Sequence, residues 1–447
     1  MKYNNDWKKY KLSDVTTKIG SGATPKGGQE SYIDEGVTFI RSQNVYNHKF
    51  SYNGLAFIND EQAKKLNNVT IEEDDILLNI TGDSVCRCCI VPKQVLPARV
   101  NQHVAIIRCD KNKILPVFLK SFLTTNYMQT YMLSIAQHGG TRAALTKGMI
   151  QNLEISIPSL QDQERIVSIL NAIEYKIEID IEMKKTLEEI AQTLFKHWFV
   201  DFEFPNKEGQ SYKSSGGKFV QSVLGMVPEG WELSKLEEVI SIKHGFAFKS
   251  KDFSVDETDF YILTPGNFKI GGGFKEDKFK YLNEGVIFPS QYILNEDDLL
   301  VTMTDLSRDG DTLGYPAFIP TSDSVKYLHN QRLGKVILKS SISKQFLYYL
   351  FCTPRYRGHI LGSATGTTVK HTAPKRIEEF TFINPNKSTL EEFDKIVTPL
   401  FKLMKSINAE NSNLIELRNT LLPKLMSGEI RIPDAEKEVE KCLQKSN

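Results

Sequence analysis

Short stretches near the start of this chain return later, in the same order. Trp7-Lys8-Lys9-Tyr10-Lys11-Leu12-Ser13-Asp14-Val15, followed by a turn at Gly20-Ser21-Gly22, is matched by Trp231-Glu232-Leu233-Ser234-Lys235-Leu236-Glu237-Glu238-Val239, followed by His244-Gly245. Phe39-Ile40-Arg41-Ser42-Gln43-Asn44-Val45 is matched by Ile262-Leu263-Thr264-Pro265-Gly266-Asn267-Phe268. Glu73-Asp74-Asp75-Ile76-Leu77-Leu78 returns as Glu296-Asp297-Asp298-Leu299-Leu300-Val301, with Thr81 against Thr304. Asn101-Gln102 pairs with Asn330-Gln331, Phe118-Leu119 with Phe346-Leu347, and Gly140-Thr141 with Gly366-Thr367. The offset is 224 at the tryptophans and 223 at the acidic turns. So steady an offset means two copies of one domain. Whatever fold the chain adopts must be buildable twice.

Each copy reads as mixed α and β. Residues 76–80 and 104–107 are short, apolar and flanked by turn residues, as strands are. Residues 115–132 read as a helix. Asp74-Asp75 before a strand could be a metal or acid/base pair. A tight turn entering a buried strand is the simpler account.

A helix-forming stretch follows each copy. Residues 158–198 place Ile166, Leu170, Ile173, Ile177, Leu187, Ala191, Leu194 and Trp198 at steps of three and four. Residues 390–425 place Phe393, Ile396, Leu400, Leu403, Ile407, Leu414, Leu417 and Leu421 in the same way. Such seams pack lengthwise on another helix. About forty residues make a rod of roughly 60 Å, too long to bury its seam on a small domain. The two rods are therefore expected to pack antiparallel on each other. Asp180, Lys184 and Glu410 interrupt the seams with polar groups, which can fix register.

The expected fold class is α+β: two duplicated mixed α/β domains separated by two long antiparallel coiled-coil helices. The first domain takes residues 1–157 and its helix 158–204. Residues 205–228, containing Lys213-Ser214-Ser215-Gly216-Gly217-Lys218, have linker composition. The second domain takes 229–386 and its helix 387–430, leaving 431–447 as a frayed tail. No apolar run approaches the ~20 residues that span a bilayer. Six cysteines, three of them crowded at Cys86, Cys88 and Cys89, do not suggest a disulfide framework. A cytoplasmic location is expected.

The formal net charge of +1 hides a separation. Residues 84–153 hold nine Lys/Arg and one acid, and residues 324–376 hold ten Lys/Arg and no acid. The first rod, 160–204, holds ten acids against five bases. Two basic segments at matching places in a repeat point towards nucleic acid.

Catalytic motifs are hard to find. Around Gly216-Gly217-Lys218 a phosphate-binding loop fails: Tyr212 stands at its first glycine position and Phe219 at its Ser/Thr position. An amino-methyltransferase Asn/Asp-Pro-Pro-aromatic motif is missing. Pro433-Asp434 near Glu436 lacks the acid-x-Lys of a nuclease. The three crowded cysteines have no second pair at zinc-ligand spacing. A binding protein is the better reading.

Two junctions carry a family resemblance. One is Leu153-Glu154-Ile155-Ser156-Ile157-Pro158-Ser159-Leu160-Gln161-Asp162-Gln163-Glu164-Arg165-Ile166-Val167, where the first domain meets its rod. The other is Leu417-Arg418-Asn419-Thr420-Leu421-Leu422-Pro423-Lys424-Leu425-Met426-Ser427-Gly428-Glu429-Ile430, at the end of the second. With the order domain, rod, domain, rod, the chain resembles the specificity subunit of type I restriction-modification enzymes. The second junction, Phe382-Ile383-Asn384-Pro385-Asn386-Lys387, departs from the family's apolar-Pro-x-Leu pattern.

The resemblance implies a non-catalytic chain whose two target-recognition domains each read half of a bipartite, asymmetric double-stranded DNA site. It implies that the helices set the unread spacer. It also implies two modification subunits using S-adenosylmethionine, and restriction subunits using ATP and Mg²⁺, with no cofactor or metal on this chain. A coiled-coil scaffold joining two protein-binding domains is the alternative. An enzyme with an unfamiliar duplicated site is a third reading.

Base readers should combine hydrogen-bonding side chains with loop positions. In the first domain these are Ser21, Thr24, Lys26, Arg41, Gln43, Asn44, Arg99, Gln102, Thr141 and Arg142. In the second they are Lys249, Asn267, Arg308, Gln331, Arg332, Thr367, Lys370 and His371. Lys147, Lys375 and Arg376 suit phosphate contacts. The outer rod face, with Phe195, Trp198 and Phe199, is the expected dock for partner chains, although Trp198 fits the seam equally well.

Overall fold

The computed structural model describes residues 7–47, 49–137, 143–322 and 324–444. Two compact units emerge: Met1–Asp180 with Glu410–Asn447, and Ile181–Ala409. Each long helix therefore contributes one half to each unit.

In unit 1, the run Ile76–Asn79 is buried at every position because both its faces are covered. Ile76 and Leu78 enter one core, while Leu77 enters another. Its neighbour Val104–Cys109 divides the same way, Ala105 and Ile107 against Val104 and Ile106. This is the period of two that a strand imposes. The sheet runs Thr16–Ser21, Val104–Cys109, Ile76–Asn79, Cys88–Ile90, antiparallel throughout. A second sheet runs Ala56–Ile58, Val37–Ile40, Ala98–Val100, Thr70–Ile71, and its middle pair is parallel. Helices and the rod segments cover the outer face of the first sheet.

Unit 2 repeats this plan. Its antiparallel sheet runs Ile240–His244, Leu333–Leu338, Leu299–Thr302, Pro316–Phe318. Its other sheet again contains a parallel pair, Phe260–Ile262 with Lys326–Leu328. Leu299 and Val301 face one core and Leu300 another. The acidic turns are turns: Asp74 and Asp297 take positive φ of 71° and 60°, and Asp75 and Asp298 are buried.

The first long helix is Leu160–Phe195, continued by a π-helical turn, Lys196–Val200, and the second is Lys387–Ser427. Gln163 shows why the first junction reads as it does. Its buried amide accepts from Leu115 N–H at 2.9 Å and donates to Lys113 O and Pro158 O at 3.1 Å each. It ties the helix start to the domain.

Within each unit the helix segments run antiparallel. In unit 2, Lys184 reaches Asn408 Oδ1 at 2.6 Å, while the later Phe195 meets the earlier Phe393 at 6.1 Å between ring centroids. In unit 1, Lys176 lies 2.6 Å from Asp180 and 2.7 Å from Glu410. Burial alone would lower its pKa, but the two carboxylates hold it above the ordinary lysine value.

Four expectations need correction. In the second seam, Ile396 and Leu403 are exposed, and Val397 and Met404 are buried instead. Residues 205–228 are not an open linker: they hold a hairpin, Phe219–Ser222 with Gly225–Pro228, and Phe204 stacks between Tyr212 and Trp231. Residues 432–444 are not frayed. Ile432–Gln444 is a helix that buries Ala435 and Val439 against unit 1 and sets Glu436 on Arg165 at 2.9 Å. Phe195, Trp198 and Phe199 are core rather than dock, packed with Trp231, Phe346 and Phe393. Phe195 ends the α-helix, and the turn at Lys196–Val200 carries Trp198 and Phe199 into the same core.

Candidate nucleic-acid interface

Loops meet where the antiparallel sheet of unit 1 ends. Gly22 N–H donates to Val104 O at 2.9 Å, and Ala23 N–H to Val100 O at 3.0 Å. Ile80 N–H donates to His103 O, and Leu145 N–H to Ile80 O, both at 2.9 Å. Residues 22–24, 80–82, 101–103 and 143–145 are thereby gathered at one edge. A Cβ on Gly22 would lie 2.1 Å from Val100 O and 2.2 Å from Asn101 O. Only glycine lets these loops close.

The same junction recurs in unit 2. Phe246 N–H donates to His329 O at 2.7 Å, Gln331 N–H to Phe246 O at 2.9 Å, and Met303 N–H to Arg332 O at 2.8 Å. A Cβ on Gly245 would lie 2.3 Å from Asn330 O. Thr372 N–H donates to Met303 O at 3.0 Å, and Thr304–Asp305 pairs with Lys370–His371, bringing a fourth segment to the edge.

The side chains at these edges differ between copies. In unit 1, Thr24 bonds Gln102 Oε1, Gln102 Nε2 lies 3.0 Å from His103 Nε2, and His103 Nδ1 lies 2.6 Å from Thr81 Oγ1. In unit 2, Thr304 Oγ1 lies 3.1 Å from His371 Nδ1. Asp305 accepts from Ser307 N–H at 2.6 Å and from the Thr312 N–H and hydroxyl at 2.5 Å each, which shapes the loop carrying Arg308. Burial pushes the Asp305 carboxyl up, but these hydrogen bonds outweigh it and hold its pKa below the ordinary value.

Several expected readers stand exposed: Ser21, Thr24, Lys26, Gln102 and Lys147 in unit 1, and Lys249, Arg308, Gln331, Arg332, Thr367, His371, Lys375 and Arg376 in unit 2, with Lys370 half-buried. Thr24, Gln102, Gln331, Arg332, Lys370 and His371 are brought to the loop edges. Lys147 opens the short helix Lys147–Gln151, and Lys375 and Arg376 lie on Pro374–Glu378, where Arg376 pairs with Glu379 at 3.2 Å. Thr141 and Arg142 lie outside the described residues.

Other expected readers are scaffold. Asn44 and Asn267 are 0% exposed. The Asn44 amide accepts from Arg41 N–H at 3.0 Å and donates to Ser51 O at 2.9 Å. The Asn267 amide accepts from Thr264 N–H and donates to Asp277 O, both at 2.9 Å. A side chain spanning two backbone segments inside a turn has nothing left for a base edge. Arg99 is buried, donating to Ala63 O, Ala98 O and Asn67 Oδ1 at 2.9–3.0 Å, and burial lowers its pKa. Arg41 and Gln43 both donate to Gly54 O, at 2.5 and 3.1 Å, and Arg41 also covers the Tyr32 ring.

The basic segments are likewise less free than their composition suggested. Arg108 pairs with Asp75 and Glu72, Lys111 with Asp74, Lys93 with Glu73, and buried Lys120 with Glu174 at 3.5 Å. In the second segment Lys335 pairs with Asp298, and Arg357 lies over the Tyr315 ring. Acids distant in sequence are adjacent in space. The crowded cysteines are buried thiols, with burial pushing Cys86 and Cys89 up to about 12.

Sequence reasoning missed His103 as an edge residue. The pairing of Thr81 with Thr304 in the repeat marks the position to search, because both threonines hold a histidine.

Comparison with known proteins agrees with this architecture. The model of the type I restriction modification DNA specificity domain matches twice, at residues 4–191 and 228–417. The chain is 26% identical to the type I restriction enzyme HindI specificity subunit of Haemophilus influenzae, covering 95% of this chain and all of the relative. It is 24% identical to the MjaIX specificity subunit of Methanocaldococcus jannaschii, over 97% of this chain and 95% of the relative. The crystal structure of a type I restriction-modification S subunit from M. genitalium shares the fold at a TM-score of 0.52 and 13% identity, covering 95% and 98% of the two chains. A duplicated two-sheet domain, each copy followed by a long helix, is thus the frame of a DNA-specificity protein, and this chain belongs to the type I restriction modification DNA specificity family.

Proposed function

We propose that the chain is the DNA-reading subunit of a type I restriction-modification complex, with unit 1 and unit 2 each reading one half of a bipartite, asymmetric site. One observation carries this reading. The same four-segment loop edge is built in both units, but with different side chains on it. A shared scaffold carrying different hydrogen-bonding groups suits two unlike half-sites. As a specificity subunit the chain supplies no catalysis. Methyl transfer with S-adenosylmethionine and ATP- and Mg²⁺-dependent cleavage then belong to two modification subunits and to restriction subunits.

The rods are the proposed spacer and docking surface. Tyr175 and Ile179 of unit 1, and Ile181, Met183, Ile190, Ile396 and Leu403 of unit 2, are apolar helix residues left exposed. Burial against partner chains would remove that surface from water.

The test is an exchange of residues 1–152 for the equivalent region of a relative, in the assembled complex, followed by genome-wide mapping of methylated sites. One half-site changes and the other is kept. A change in both halves, or in neither, rejects the assignment.

A further inference from the structure

His103 stands beside a candidate base reader and is engaged through both ring nitrogens. Its Nδ1 lies 2.6 Å from Thr81 Oγ1, and its Nε2 lies 3.0 Å from Gln102 Nε2. A neutral imidazole has one donor nitrogen and one acceptor nitrogen, and an amide nitrogen can only donate. With the amide in this orientation, Nε2 of His103 accepts from Gln102, and the ring proton sits on Nδ1, aimed at the Thr81 oxygen. At the other end of the amide, Gln102 Oε1 accepts from the Thr24 hydroxyl. Three loops hold one amide in place between a hydroxyl and an imidazole. Reversing the amide would turn its oxygen to the imidazole and force the ring proton onto Nε2. The amide orientation and the histidine tautomer are thus coupled.

With both bonds made, exposed Gln102 keeps one N–H and one oxygen lone pair. One donor beside one acceptor is the pattern that matches N7 and N6–H of adenine in the major groove. We infer that Gln102 reads an adenine in the half-site met by unit 1, and that His103, held by Thr81, is the positioning residue that presets its amide. The inference rests on the reading of unit 1 as a DNA-recognition domain. The second copy is built otherwise. Arg332 takes the sequence place of His103, and Thr304 bonds His371 from another loop. Gln331 keeps the place of Gln102 in unit 2, but no histidine follows it to hold its amide.

The test uses the complete complex with its modification subunits in a methylation-deficient host, with methylated sites mapped genome-wide. His103→Leu removes the acceptor, and the preference for adenine at one position of one half-site falls roughly tenfold, the scale of one lost bidentate contact. His103→Gln, whose Oε1 can stand where Nε2 stood, restores it. Gln102→Leu abolishes the preference at that same position. An unchanged motif in His103→Leu or Gln102→Leu overturns the inference alone, and so does relaxation spread over both half-sites. A wild-type complex that methylates no bipartite motif overturns the reading beneath it. A second measurement needs no DNA: ¹⁵N NMR of histidine-labelled chain should show His103 as the Nδ1–H tautomer, and an Nε2–H tautomer would overturn the coupling.

Discussion

Arg108 grips Asp75 through two hydrogen bonds of 2.8 Å, Nε to Oδ1 and Nη2 to Oδ2, with the Asp75 side chain fully buried at the entry to the central strand. Glu72 N–H donates to the same carboxylate at 2.7 Å. In the other copy Lys335 meets Asp298 at 2.5 Å, and Asn295 N–H meets it at 2.9 Å. Asp75→Asn would leave a partly buried guanidinium with only the exposed Glu72 carboxylate. A loss of about 3 kcal/mol is expected, at the low end for a broken buried pair because Arg108 keeps some solvent. Asp298→Asn should cost less, since a lysine ammonium swings to water more readily than a planar guanidinium fork. Segment-resolved hydrogen exchange checks this: protection of residues 76–79 should fall more in the first variant than protection of 299–302 in the second.

Gly22 and Gly245 face backbone oxygens at 2.1 and 2.3 Å from where a Cβ would stand. Backbone cannot yield as a side-chain tip does. Gly22→Ala should open the loop edge of unit 1 and weaken DNA binding at least tenfold while leaving unit 2 intact. Gly245→Ala should do the converse. Binding by the assembled complex to oligonucleotides altered in one half-site reads both.

His329 is buried in unit 2, its Nε2–H donating to Leu333 O at 2.9 Å, and burial depresses its pKa from 6.5 to about 4. The neutral ring is favoured in the folded state. Its contribution is therefore complete above pH 6.5 and declines as pH falls towards 4, because the unfolded chain takes up the proton first. The shift corresponds to roughly 3 kcal/mol. Denaturant midpoints of unit 2 should drop across that window, and His329→Leu, though less stable at pH 7, should flatten the slope.

Lys176 stands between Asp180 and Glu410, whose side chains are 1% and 16% exposed. Lys176→Met would set two carboxylates together with no cation. The expected loss is about 3 kcal/mol. Thermal melts test it, and a loss no larger than that of Lys176→Arg, which keeps the cation, would reject the charge account.

Val439 and Ala435 bury the C-terminal helix against unit 1. Val439→Asp places an unpaired charge in that contact and should detach the helix, at about 3 kcal/mol. Exchange protection should fall in unit 1 and stay unchanged in unit 2.

The repeat was legible because homologous strands keep their turn and core residues: Asp75 and Asp298, Leu77 and Leu300, Gly22 and Gly245 occupy matched places in both units. The seam of the first rod was legible for a similar reason, since Ile166, Leu170 and Ile173 follow helical periodicity. Periodicity failed at Ile396 and Leu403, because a helix crossed by domain contacts chooses its buried face from what lies beside it. Composition failed at residues 205–228, where glycines and serines join a hairpin held at Phe219 by Phe202 and Tyr212.

The sequence by itself determined the two-copy architecture, the rods and the family, all of which rest on local periodicity and residue order. Tertiary structure decided which polar groups remain for DNA. Asn44, Asn267 and Arg99 looked like readers and are consumed by backbone carbonyls, while His103 looked unremarkable and sits at the loop edge. The reason is physical: a donor's availability depends on every acceptor within 3 Å, and those acceptors are set by how the chain folds back, at Ser51 for Asn44, Asp277 for Asn267, and Ala63 and Asn67 for Arg99.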